Sequence, residues 1–81
     1  MDVKSAHQFS SLHRRQVEAS SVCGCFFCLS TFAPSEITEW VDENQTALCP
    51  SCNVDSVIGS ESGVPLSQEF LSSMRSYWFW S

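Results

Sequence analysis

The residues best suited to chemistry in this chain are its cysteines: Cys23, Cys25, Cys28, Cys49 and Cys52. Four of them form two C-x2-C pairs, Cys25-Phe26-Phe27-Cys28 and Cys49-Pro50-Ser51-Cys52, with twenty residues between the pairs. Two intervening residues let the backbone turn as a tight knuckle, with both sulfurs facing one point and neighbouring N–H groups aimed at the sulfurs. Pro50 pre-sets the second turn, and Asn53 tolerates the positive φ that can follow it. This is the spacing of a tetrahedral four-thiolate Zn2+ site, closed to water and therefore structural. Iron is the alternative metal for four thiolates. An odd cysteine count argues against a pure disulfide framework, and a thioredoxin-like redox pair needs a βαβ setting that has no room here. Cys23 could replace Cys25 as a ligand. The better knuckle is C-x2-C, so Cys23 is read as a buried thiol.

Other chemistry finds little support. His7 and His13 are the only histidines, and in a polar N-terminal stretch they read as solvated. No serine, threonine or cysteine carries the local signature of a nucleophile. Asn44 followed by Leu48-Cys49-x-x-Cys52-Asn53 has the ending of an HNH nuclease motif, but residues 29–48 contain no histidine to act as the base. The pairs Glu36/Glu39 and Asp42/Glu43 more often form a solvated face than a second cation site.

Charge is distributed unevenly. Four basic and nine acidic residues give a formal net charge of −5, and no Lys or Arg lies between Arg15 and Arg75. That interval has no cations to displace counterions from phosphates, so direct nucleic-acid binding is not expected. Neither is attraction to an anionic membrane surface. No apolar run approaches a membrane span, and the first residues show no apolar core of a secretory signal. The expected setting is the cytoplasm.

Eighty-one residues make one small domain whose core alone supplies only a few kcal/mol, so a staple is expected. The elements that must position the cysteines read as helix, ribbon, helix. A helix is expected over about residues 5–19, with Phe9, Leu12 and Val17 near one face. The ribbon spans about 22–59. Within it, Leu29 to Phe32 leaves the first knuckle as a strand, Pro34 opens a helical turn, and Thr46-Ala47-Leu48 runs into the second knuckle. A C-terminal helix is expected over about 67–78, capped by Ser67, with Phe70, Leu71, Met74 and Trp78 as its inner stripe. Tyr77 and Trp80 fall off that stripe and suit an interface.

His13-Arg14, Cys23-Gly24-Cys25-Phe26-x-Cys28, Pro34-Ser35-Glu36-Ile37, Trp40-x-Asp42-Glu43, Thr46-Ala47-x-Cys49-Pro50-x-Cys52, Asp55-Ser56-Val57-Ile58-Gly59, Ser62-Gly63, Pro65, Phe70-Leu71, Met74 and Trp78-Phe79 resemble a group of short bacterial proteins usually labelled only cytoplasmic protein. The resemblance runs over about residues 13 to 79. It implies a stand-alone four-cysteine zinc-ribbon domain in a bacterial cytosol and adds no activity. Asn53 departs from it, since that family tends to carry Gly there.

The reading is therefore a small α+β, metal-stabilised zinc ribbon flanked by two helices, occupying residues 1–81 as one domain. Zn2+ is expected on Cys25, Cys28, Cys49 and Cys52. The expected role is non-catalytic, through a protein partner that Tyr77, Trp80, Glu36, Glu39, Asp42 and Glu43 would meet. The acidic face favours a basic partner, and the aromatic end is compatible with a homodimer. A phage- or mobile-element-type inhibitor that blocks a nucleic-acid-binding protein is the first alternative, and a metal-dependent enzyme or nucleic-acid-binding ribbon the second.

Overall fold

The computed structural model describes residues 2–79. Helix α1 (Val3–Ala6) runs into a 3-10 turn (His7–Ser10) and is followed by α2 (Arg14–Glu18). Five short strands come next: β1 (Cys23–Cys25), β2 (Thr31–Phe32), β3 (Trp40–Val41), β4 (Thr46–Ala47) and β5 (Val57–Gly59). Helix α3 (Gln68–Phe79) closes the described chain. The strands form a three-stranded sheet in the order β2-β1-β5 and a β3-β4 hairpin, all antiparallel.

Strand β1 is the organising element. Cys23 pairs with Phe32 on one side and Gly59 on the other, and Cys25 pairs with Val57. Successive side chains of a strand point to opposite faces, and both faces are covered. Cys23, Cys25 and Val57 join Val17, Phe32, Ile37, Ala47 and Cys49 in one core. Phe26 and Ile58 join Ala6, Val64, Leu71 and Met74 in the other. Gly24 faces this second core, where a Cβ would come within 3.1 Å of Leu71 Cδ1. The missing side chain lets α3 lie directly on the sheet. On the neighbouring strand a Cβ at Gly59 would collide with Ser20 Oγ, which brings the chain after α2 equally close.

The N-terminal stretch is not the single helix expected over 5–19. It breaks at Ser11–Leu12, where Leu12 takes φ 49°. The Leu12 N–H donates to Thr46 Oγ1 (2.8 Å) and the His13 N–H to Gln45 O (2.7 Å). A continuous helix would have spent both donors on its own carbonyls. The break turns Leu12 out to 71% exposure, while Val17 is fully buried.

Helix α3 has Ser67 at its start, whose Oγ accepts the Phe70 N–H at 3.1 Å. Leu71 and Met74 are fully buried and Phe70 half-buried. Trp78, expected on the same inner stripe, is 37% exposed. Trp78 rests on His7 of the N-terminal stretch (centroids 4.0 Å) and donates from Nε1 to Val3 O at 2.9 Å.

Candidate metal centre

Both C-x2-C pairs fold as knuckles, and the two share the same backbone–backbone bonds. In the first, the Leu29 N–H donates to Cys25 O (2.9 Å) and the Cys25 N–H to Ser30 O (3.0 Å). In the second, the Asn53 N–H donates to Cys49 O (2.8 Å) and the Cys49 N–H to Val54 O (3.0 Å). The residue after each pair is left-handed, Leu29 at φ 67° and Asn53 at φ 66°. Asn53 accepts that conformation cheaply and Leu29 does not. The strand expected to begin at Leu29 therefore starts at Thr31.

The sulfurs are surrounded by donors. Cys25 Sγ accepts the N–H groups of Phe27 (3.3 Å) and Cys28 (3.5 Å), and Cys49 Sγ accepts that of Ser51 (3.4 Å). Ser56 Oγ lies 3.0 Å from Cys25 Sγ, and Ser30 Oγ lies 3.0 Å from Cys28 Sγ. Neither serine was anticipated from sequence, because isolated serines carry no spacing signal.

The four cysteines Cys25, Cys28, Cys49 and Cys52 lie together as a possible metal site, with all four sulfurs within 4.8 Å of one another and none in a disulfide. The closest sulfurs belong to different knuckles, Cys25 with Cys52 at 3.6 Å and Cys28 with Cys49 at 3.7 Å. Tetrahedral coordination with a Zn–S bond of about 2.3 Å requires sulfur–sulfur edges of about 3.8 Å. The donor set thus fits a tetrahedral thiophilic cation.

The surroundings treat the thiols unequally. Burial pushes the Cys25 and Cys52 thiols above their usual range. At Cys28 burial acts upward too, but hydrogen bonds from Ser30 and the neighbouring thiols outweigh it and bring the group down to about 7. Four thiolates cannot crowd together without a compensating cation. Cys23 is not one of the four. It is fully buried in β1, and burial pushes its thiol up to about 11, which leaves it an unreactive part of the core.

His13 departs from the solvated reading. It is buried, its Nε2 accepts the Ala47 N–H at 3.1 Å, and its Nδ1 therefore carries the proton donated to Phe9 O at 2.6 Å. The ring clips the helix break to β4. An open groove of about 480 Å3 beside it is lined by Leu12, Arg14, Arg15 and Gln45, and by none of the cysteines. His7 is exposed, as expected, but its ring lies against Trp78.

The residues expected at a partner surface are placed in separate regions. Glu36, Glu39, Asp42 and Glu43 are exposed around the turn before β3 and the β3-β4 hairpin. Glu36 also accepts the Ala33 N–H at 2.8 Å, which closes its own 3-10 turn. Asp42, Glu43 and Asn44 are all left-handed, at φ 55°, 58° and 67°. Tyr77 is on α3, and 51% of it is exposed. Trp80 lies outside the described residues. Among the described residues no helix is long and apolar enough to cross a membrane. No family model matches the chain, and no curated protein or solved structure is significantly similar to it.

Proposed function

We propose that this chain holds one Zn2+ on Cys25, Cys28, Cys49 and Cys52 as a closed structural centre of the zinc-ribbon kind. The domain so held acts without catalysis, as a protein–protein interaction module. The observation that carries the reading is the pair of matched knuckles that bring four sulfurs within 4.8 Å of one another, two pairs of them at 3.6 and 3.7 Å. When bound, the metal would tie two loops that are twenty residues apart in the chain. Four protein ligands leave no open position for a water or a substrate. The histidine beside the groove is no free base either, since both of its ring nitrogens are engaged with backbone. An exposed carboxylate face and exposed rings on α3 suit contact with another protein. The bacterial, cytosolic setting implied by the motif resemblance belongs to the same proposal.

The test is metal analysis of protein purified without added metal. About one zinc per chain is expected. Cys49→Ser should leave the domain unfolded by circular dichroism, because structural zinc contributes about 10–16 kcal/mol. Cys23→Ala should keep both metal and fold. Native folded protein holding neither zinc nor iron would overturn the reading.

A further inference from the structure

The four sulfurs of the centre are not equally reachable. Cys25 and Cys49 are buried, Cys52 is half-buried, and Cys28 is exposed. The two sulfur pairs in close contact run across the knuckles, Cys25 with Cys52 at 3.6 Å and Cys28 with Cys49 at 3.7 Å. The second of these pairs contains the exposed sulfur, and it is also the pair bridged by a hydroxyl. Ser30 Oγ lies 3.0 Å from Cys28 Sγ and 3.8 Å from Cys49 Sγ, so one half-buried side chain touches both sulfurs. The hydroxyl beside the other pair belongs to Ser56, which is fully buried against Cys25.

A reachable thiolate next to a second thiolate is the arrangement of an oxidation-sensitive pair. The oxidant takes the accessible sulfur, and the neighbour converts the product to a disulfide before oxidation goes further. Cys28 and Cys49 supply the two halves. Cys23, fully buried and outside the four, supplies neither.

We propose that Cys28 is a site of oxidation by hydrogen peroxide, with Cys49 as its resolving partner and Ser30 as the residue that positions the pair. The proposal rests on the structural-centre reading and adds a means of releasing the metal. The Cys28 thiolate attacks one peroxide oxygen and the O–O bond breaks, which leaves a sulfenic acid and a hydroxide. The Cys49 thiolate then attacks the Cys28 sulfur, the S–O bond breaks, and a second hydroxide leaves with the Ser30 hydroxyl placed to donate to it. The two sulfurs give up two electrons in all, and the peroxide ends as two waters once two protons are taken from solvent. A disulfide offers no thiolate charge to a cation, and the thiolates of Cys25 and Cys52 alone would not retain Zn2+. The new bond spans the same twenty residues that the metal would tie. A bond within either C-x2-C pair would leave the two loops unjoined.

The experiment exposes the metal-loaded full chain to hydrogen peroxide. Released zinc is followed with a chromogenic chelator, and the first disulfide is located by peptide mass mapping. Release should begin with the loss of two thiols per zinc, and the first linkage should be Cys28–Cys49. Ser30→Ala should slow release roughly threefold or more, the loss of one hydrogen bond, with metal content and thermal midpoint unchanged. Ser30→Thr should restore the rate, and Cys23→Ala should react like the wild type. A first linkage within one knuckle or through Cys23 overturns the proposal. So does a Cys28 that passes to sulfinic acid without forming a disulfide. Ser30→Ala reacting at the wild-type rate overturns the positioning role, and the linkage in the wild type still decides the pairing. Zinc retained with every thiol reduced under excess peroxide overturns the proposal and leaves the structural-centre reading standing. Purified protein that holds no metal overturns that reading instead, and the first linkage then decides the pairing alone.

Discussion

The two cores on either side of β1 are built by different means. The four largest fully buried side chains are Phe26, Ile58, Leu71 and Met74, and all lie on the helical side. The metal side is filled mostly by smaller residues: Val17, Val57, Ala47 and the cysteines. Dispersion and apolar burial scale with the atoms brought together. The helical side therefore draws more on packing, and the metal side less. Its loops converge on sulfur instead of on bulk. A small chain here divides the work of stabilisation between coordination and packing, using one strand as the shared wall.

That division can be probed by truncation. Leu71→Ala should cost about 2–5 kcal/mol, the usual loss for a large buried side chain. Urea midpoints would measure it, and the folded fraction should still hold its metal. A folded fraction that has lost its metal would show that packing under α3 also sets the ligand geometry, and the contrast fails.

A subtler effect concerns His13, which belongs to the helix break rather than to either core. Burial holds its pKa below the ordinary 6.5. The unfolded chain thus takes up a proton near pH 6.5 that the folded chain refuses. The stabilising contribution is complete above that pH and is lost as pH falls toward the depressed folded value. Between pH 6.5 and 5.5 the wild type should lose more stability than His13→Gln does. Thermal midpoints at the two pH values would measure the difference, and parallel slopes would remove His13 as the cause.

A modest effect is expected at the rim of the helical side. Trp78→Ala removes a ring stack and one hydrogen bond, about 1–2 kcal/mol together. A loss as large as that of Leu71→Ala would show that the last turn of α3 is core after all, and the boundary of the helical side would have to be redrawn.

What could be read from the sequence was what depends on near neighbours. The ligand spacing of Cys25, Cys28, Cys49 and Cys52 is local, and so is the apolar stripe of α3 with Ser67 before it. The broken N-terminal helix was not legible, because its cause lies more than thirty residues away, in the bonds from Leu12 to Thr46 and from His13 to Gln45. His13 was misjudged for the same reason, its partner on one side being Ala47. Leu29 hid a left-handed turn behind a residue that rarely takes one. Trp78 fell on the right stripe, but its partners there, Val3 and His7, come from the other end of the chain, which periodicity does not contain.

Strand β1 also carries a consequence for insertion and deletion. Its odd-numbered residues, Cys23 and Cys25, face the metal side, and the even-numbered Gly24 between them faces α3. Both faces are occupied, so position along this strand acts as a parity code. A single residue added just before Gly24 would reverse that code for one side of the strand. A thiol would be driven under Leu71, and the glycine would be left where a sulfur should stand. A length error of one residue would thus harm both cores at once, where most point changes would harm only one.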